Sequence, residues 1–203
     1  MITPRILIPA LALALGSAAA SAALKEGDSA PDFKAQASLA GKAFNFSLKE
    51  SLKKGPVVVY FYPAAYTNGC NIQAHTFAVN VDKFKAAGAT VIGVSHDNIG
   101  RLNEFSADSE YCAGKVAVAS DEEGLIAKSY DLAIREAAPG RKDTKGQDIN
   151  HAFTERTTFV VATDGRIAAT LGGLAPATNV EKALESVQQL ATQRSTSKPS
   201  PKL

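Results

Sequence analysis

The run Val57-Val58-Val59-Tyr60-Phe61-Tyr62 constrains this chain more than any other stretch. Six consecutive β-branched or aromatic residues leave no polar face, so the segment reads as a central strand covered on both sides. Gly55-Pro56 leads into it, and Pro63, which cannot donate a ladder hydrogen bond, ends it. From about Asn68, Ala74, Phe77, Val81 and Phe84 recur at helical spacing until Gly88 supplies a stop, and Val91-Ile92-Gly93-Val94 forms a second buried strand. Strand, helix and strand joined this way make a right-handed parallel βαβ unit.

The remaining elements arrange themselves around that unit. Turn formers fill residues 27–33, and the weakly patterned stretch to Lys49 has room for a short hairpin. A helix with Leu102 and Phe105 on one face follows Asp97, which reads as its cap. A short strand is expected near residues 116–118 and a helix over 123–130. Residues 133–152 lack apolar periodicity, as a functional or mobile loop does. Asp164-Gly165 is a hairpin turn between strands at 158–162 and 166–171. Thr178 with Glu181 forms a capping box for a last helix striped by Val180, Leu184, Val187 and Leu190. The tail beyond Gln193 is expected to be disordered. This order predicts an α/β thioredoxin-like fold, a central mixed sheet with helices on both faces, as one domain over residues 23–193.

The amino terminus has a different character. Arg5, the apolar run 6–15 and the small residues ending in Ala20-Ser21-Ala22 have the three zones of a secretory signal peptide, with cleavage expected after Ala22. Ten apolar residues fall short of the roughly 20 that a membrane-spanning helix needs. Export across an inner membrane, to a bacterial periplasm, is the expected destination. Without residues 1–22 the chain carries 21 basic and 20 acidic side chains, net +1, and no long basic block. Neither nucleic acid nor stable membrane association is therefore expected as a partner.

Two cysteines, Cys70 and Cys112, enter this oxidising compartment, where a disulfide between them is permitted, structural or catalytic. Together with His75, His96 and His151 they form no paired-ligand spacing of the zinc type, and no cofactor is expected. Cys70 falls in the first turn of the helix after the central strand. There, unpaired backbone N–H groups and the positive end of the helix dipole favour a thiolate.

The spacing Pro63, Thr67, Cys70 resembles the active-site signature of the peroxiredoxin family, and Phe61-Tyr62-Pro63 with Gly69-Cys70 is most similar to its bacterioferritin comigratory protein, or peroxiredoxin Q, branch. Ala30-Pro31-Asp32-Phe33, residues 91–95, Ser120-Asp121 with Gly124, and Arg156-Thr157-Thr158-Phe159-Val160 extend the likeness over roughly residues 27–190, apart from the 133–152 loop. The resemblance implies a thiol peroxidase in which Cys70 attacks a hydroperoxide and becomes a sulfenic acid. It implies that Thr67 sets its hydroxyl beside the O–O bond, that Pro63 shields the sulfur, and that Arg156 stabilises both the thiolate and the leaving oxygen. Arg135, Arg141 and Arg166 compete with Arg156 but open no similar strand.

Two positions depart from the branch. Gln73 stands where Glu is common, and His75 stands where many members carry a second cysteine, which removes the usual local disulfide. Cys112 is the internal candidate for the resolving role, with a thioredoxin-like or other thiol donor as reductant. The implied substrates are hydrogen peroxide and organic hydroperoxides, and the implied state is a monomer or homodimer. An exported redox sensor, a holdase, or a general thiol–disulfide oxidoreductase is the alternative, although the last lacks its Cys-x-x-Cys because Asn71-Ile72-Gln73 follow Cys70.

Overall fold

The computed structural model describes residues 22–197. The expected signal peptide, residues 1–22, lies outside the described residues except for Ala22, as does the end of the tail, 198–203. The elements in chain order are β1 (Lys34–Leu39), β2 (Lys42–Ser47), α1 (Leu48–Leu52), β3 (Val57–Phe61), α2 (Asn68–Ala86), β4 (Thr90–Ser95) and α3 (Ile99–Ala107). They continue as β5 (Ala117–Ser120), α4 (Leu125–Ser129), β6 (Ile134–Arg135), β7 (Phe153–Thr154), β8 (Thr157–Val161), β9 (Ile167–Gly172) and α5 (Pro176–Ser197).

Seven strands form one mixed sheet in the order β2-β1-β5-β4-β3-β8-β9. β3 is central, parallel to β4 on one side and antiparallel to β8 on the other, and every residue of β3 and β8 is buried. Alternation along β3 splits the core. Val58, Tyr60 and Tyr62 pack under α2, α3 and α5, whereas Val57, Val59 and Phe61 pack with Leu48, Ala127 and Tyr130 of the other face. Gly93 lets this arrangement form: a Cβ there would lie 2.5 Å from the Tyr60 ring and 2.9 Å from that of Tyr62. The two tyrosines stack with ring centroids 5.5 Å apart, and Tyr60 stacks on Phe77 at 4.5 Å.

Several sequence expectations move by a few residues, each for a local reason. Asn98, not Asp97, caps α3, its side chain accepting from the Arg101 N–H at 2.9 Å. Thr178 lies inside α5, because Pro176 takes the first helical position, where its missing N–H costs nothing. α5 continues to Ser197, past the expected end at Gln193, while Val180 and Val187 bury the predicted stripe. The helix expected over 123–130 is shorter, since Gly124 at φ +67° starts it late. The 133–152 segment is not structureless: β6 pairs with β7, and Lys142 bridges Asp148 around a turn at Asp143.

Candidate active site

Three of the candidate residues, Pro63, Thr67 and Cys70, lie between the end of β3 and the first turn of α2. After β3 the chain passes Pro63, turns through Tyr66 at φ +59°, and enters α2 at Asn68 with Thr67 in the N-cap position. A positive φ at a bulky residue is unfavourable and persists only where the surroundings hold it. Tyr66 is held closely: its carbonyl accepts from Thr144 N–H at 2.8 Å, its ring meets Phe105 at 5.0 Å and Tyr111 at 5.8 Å, and the Arg101 guanidinium lies 4.1 Å over it. Burial raises its phenol to about 12, with the Asp108 charge adding to the shift.

Cys70 occupies the third position of α2 and is 2% exposed. The Arg156 guanidinium, on the residue just before β8, donates from Nη2 to Cys70 Sγ at 3.3 Å. Its Nη1 donates to Gln73 Oε1. One rigid fork thus spans Cys70 and its helical neighbour Gln73, a geometry that lysine cannot reproduce. Gly69 makes room for it, since a Cβ there would stand 3.0 Å from Arg156 Nη2 and 3.5 Å from Pro176 Cγ. In the sequence Gly69 is only part of a pattern, with nothing local to mark this steric role.

Thr67 has a defined polarity. Its hydroxyl donates to the Ala64 carbonyl at 3.0 Å and makes no side-chain cap bond, while its carbonyl receives the N–H groups of Cys70 and Asn71. With its proton engaged, Oγ1 presents lone pairs to a substrate O–H. Pro63 is partly buried at the start of the same loop.

Of the four expected residues, Arg156 reaches Cys70 directly, while Thr67 and Pro63 stand on the loop that leads into α2. The competing arginines stand apart: Arg166 donates to the Gly27 carbonyl at 3.0 Å, and Arg135 and Arg141 are exposed on the 133–152 segment. Gln73 is fully buried and replaces the expected carboxylate with an amide oxygen that still receives Arg156. His75 is exposed, with Nδ1 2.9 Å from the Glu110 carbonyl.

Cys112 lies in the turn between α3 and β5, and both cysteines are free thiols. It shares the helix-side core with Cys70, Tyr60 and Tyr62 and is 0% exposed. Burial pushes its thiol far up, and the Asp108 charge adds to this. Two buried cysteines in one core therefore differ in partner: a guanidinium for one, aromatic rings and a nearby carboxylate for the other.

A cavity of about 370 Å³ lies behind the loop, lined among others by Ala65, His96, Asp97, Arg101, Asp143 and His151. Asp97, the expected helix cap, instead receives Ala65 N–H at 2.8 Å and Ser95 Oγ at 2.7 Å on one carboxylate oxygen, and faces His151 Nε2 at 3.1 Å with the other. The His96 and His151 rings are nearly parallel, 6.3 Å apart. Burial lowers the His96 pKa. Burial also opposes charge on His151, but the hydrogen bond and charge of Asp97 and the Ala152 carbonyl outweigh it and leave its pKa raised. None of this second cluster was legible as a site, because its members are scattered from Ser95 to His151 with no local spacing.

Comparison with known proteins places the chain in a family. Residues 27–170 match the AhpC/TSA family. The chain is 31% identical over 164 residues to a peroxiredoxin bcp of Helicobacter pylori (strain J99), covering 81% of this chain and 98% of that protein. It is 36% identical over 121 residues to the chloroplastic peroxiredoxin Q of Oryza sativa subsp. japonica, covering 59% of this chain and 52% of that one. Among solved structures, peroxidoxin BcpB from Mycobacterium tuberculosis superposes with a TM-score of 0.68 at 26% identity, covering 82% of this chain and 98% of that chain. With the family model matching most of the chain and a relative covered almost end to end, the chain belongs to the AhpC/TSA peroxiredoxin family of thiol peroxidases, in its Bcp and peroxiredoxin Q branch.

Proposed function

We propose that the protein reduces hydrogen peroxide and organic hydroperoxides through a sulfenic acid on Cys70. The observation that carries this reading is the 3.3 Å donation from Arg156 to Cys70 Sγ at the amino-terminal turn of α2. Two positive influences converge on one sulfur, and both favour the thiolate.

In the proposed step the Cys70 thiolate attacks one peroxide oxygen in line with the O–O bond. An S–O bond forms as the O–O bond breaks, and the leaving oxygen departs as hydroxide or alkoxide, taking a proton to become water or alcohol. Thr67 Oγ1 accepts from the peroxide O–H and orients it. Arg156 is already placed where negative charge moves off sulfur, so it stabilises the transition state without reorganising.

Cys112 is the proposed resolving thiol. Its thiolate attacks the Cys70 sulfenic sulfur, the S–O bond breaks, hydroxide leaves and takes up the proton that the Cys112 thiol released to solvent, giving water, and a thioredoxin-like or other dithiol reduces the resulting disulfide. The folded position of Cys112 disfavours a thiolate, so resolution follows local opening of the 108–116 turn, where Ala113 sits at φ +53°. Export to a bacterial periplasm, after cleavage behind Ala22, completes the proposal and rests on the zones of the amino-terminal sequence.

The test is peroxide consumption by the mature protein with a thioredoxin or dithiothreitol donor. Cys70→Ser is expected to abolish turnover. Cys112→Ser is expected to lose thioredoxin-coupled turnover and to keep a single stoichiometric oxidation of Cys70. No consumption by the unaltered protein with either donor would overturn the peroxidase reading, and full thioredoxin-coupled turnover by Cys112→Ser would overturn the resolving role.

A further inference from the structure

Arg156 does not hold its position alone, and the groups behind it form an ordered sequence. Asn179, in the first turn of α5, is fully buried. Its Nδ2 donates to the Leu171 carbonyl of β9 at 2.8 Å. Its Oδ1 accepts from Gln73 Nε2 at 3.0 Å and from Thr158 Oγ1 at 2.5 Å. Gln73 Oε1 then accepts from Arg156 Nη1, and Arg156 Nη2 reaches Cys70.

The direction of each link is forced by the one before it. A backbone carbonyl only accepts, so Asn179 must turn its NH₂ toward Leu171. Its oxygen therefore faces Gln73, which must answer with its own NH₂. The oxygen of Gln73 is then left for the guanidinium, which only donates. Reversing the Gln73 amide would set an NH₂ group against Arg156 and strand donors in a buried site.

We infer that Asn179 is a positioning residue for the peroxidatic cysteine, fixing through Gln73 the orientation of Arg156. A carboxylate at position 73 would need no such instruction, because either of its oxygens accepts. The amide does, and α5 supplies it from 106 residues away in sequence. All the groups between Leu171 and Arg156 are neutral, so the relay orients the guanidinium without neutralising its charge.

The inference rests on the peroxidase reading for its consequence, but its test does not depend on peroxide. In a Cys112→Ser background, the pH dependence of Cys70 alkylation by iodoacetamide is measured together with the rate of reaction with hydrogen peroxide. Asn179→Leu frees the Gln73 amide to reverse, and its alkylation midpoint is expected to move to higher pH while the peroxide rate falls about tenfold. Asn179→Ala, which places less bulk against β9, is expected to do the same and serves if the leucine variant does not fold. In a Gln73→Glu background, Asn179→Leu is expected to change the peroxide rate by less than about twofold, because the carboxylate needs no orienting donor. An unchanged midpoint and rate in both Asn179 variants, with only a lowered Tm, would overturn the inference. So would an equal loss with and without the Gln73→Glu substitution. Failure of the peroxidase reading shows separately, as no peroxide consumption while the alkylation midpoint still moves.

Discussion

The two sides of the active-site loop are supported by different chemistry. On the Cys70 side the groups are the Arg156 guanidinium and the two side-chain amides of Gln73 and Asn179. On the Ala65 side they are Asp97, His151 and His96, where histidine titration lies in the working range. The contact of the loop with the 133–152 segment through Asp97 and His151 is therefore the one expected to respond to pH. A site can hold its charge pattern fixed and still leave its frame adjustable.

The sharpest way to break this contrast is to remove the fixed charge. Arg156→Met retains the bulk of the stem but not the fork, and the peroxide rate at pH 7 is expected to fall at least about a hundredfold, the size seen when a positioned donor leaves a developing charge. Arg156→Lys keeps a charge but cannot meet both Cys70 Sγ and Gln73 Oε1, so it is expected to recover only a small part of that loss. Stopped-flow oxidation of Cys70 checks both. A methionine variant at the parental rate would mean that the helix terminus alone activates the sulfur.

A smaller perturbation displaces the charge without deleting it. Gly69→Ala is expected to leave Tm unchanged or raised, since alanine is about 1 kcal/mol better than glycine inside a helix. The new Cβ would nevertheless press on Arg156 Nη2 at 3.0 Å, and the guanidinium must give by a few tenths of an ångström. A three- to tenfold fall in peroxide rate, roughly, is the expected outcome of so small a misplacement. A parental rate combined with a raised Tm would show that the site tolerates the shift.

How much of this was readable beforehand follows from what each group depends on. The β3–α2–β4 unit was plain because its apolar pattern is local and both faces of β3 are buried. Cys70, Thr67 and Pro63 share one short segment, and Arg156 opens a recognisable strand, so the constellation could be anticipated. Asn179 could not be, because its significance comes from facing Gln73 across the α2–α5 contact. Asp97 has the sequence mark of a cap, but the adjacent Asn98 makes the local cap, which leaves the Asp97 carboxylate free for the tertiary partners Ala65 and His151. The 133–152 segment lacks periodicity because it is held by single tertiary bonds, such as Thr144 N–H to the Tyr66 carbonyl and the Arg101–Asp143 ion pair, which leave no repeating mark.

The titrating side offers the smallest effect, and its sign can be worked out. His151 Nδ1 faces the Ala152 carbonyl at 2.8 Å and Nε2 faces Asp97, so only the imidazolium donates to both. Burial resists that charge, but Asp97, the Ala152 carbonyl and Glu122 raise the folded-state pKa above the ordinary 6.5. The stabilisation is therefore complete below 6.5 and is lost as pH rises through the higher folded value. His96 acts in the opposite sense: burial lowers its pKa, so it disfavours the folded state as pH falls below 6.5. The total stability curve mixes the two, and the useful quantity is the difference between the parent and His151→Gln, in which the amide cannot be protonated. That difference in Tm is expected to favour the parent at pH 5.5 by about 2–4 °C, the equivalent of ~1 kcal/mol in a chain of this size, and to shrink toward pH 8.5. The alkylation midpoint of Cys70 should be the same in both proteins, because Arg156, Gln73 and Asn179 lie on the other side of the loop. A midpoint that moved with His151 would join the two sides electrostatically and end the separation between fixed charge and adjustable frame.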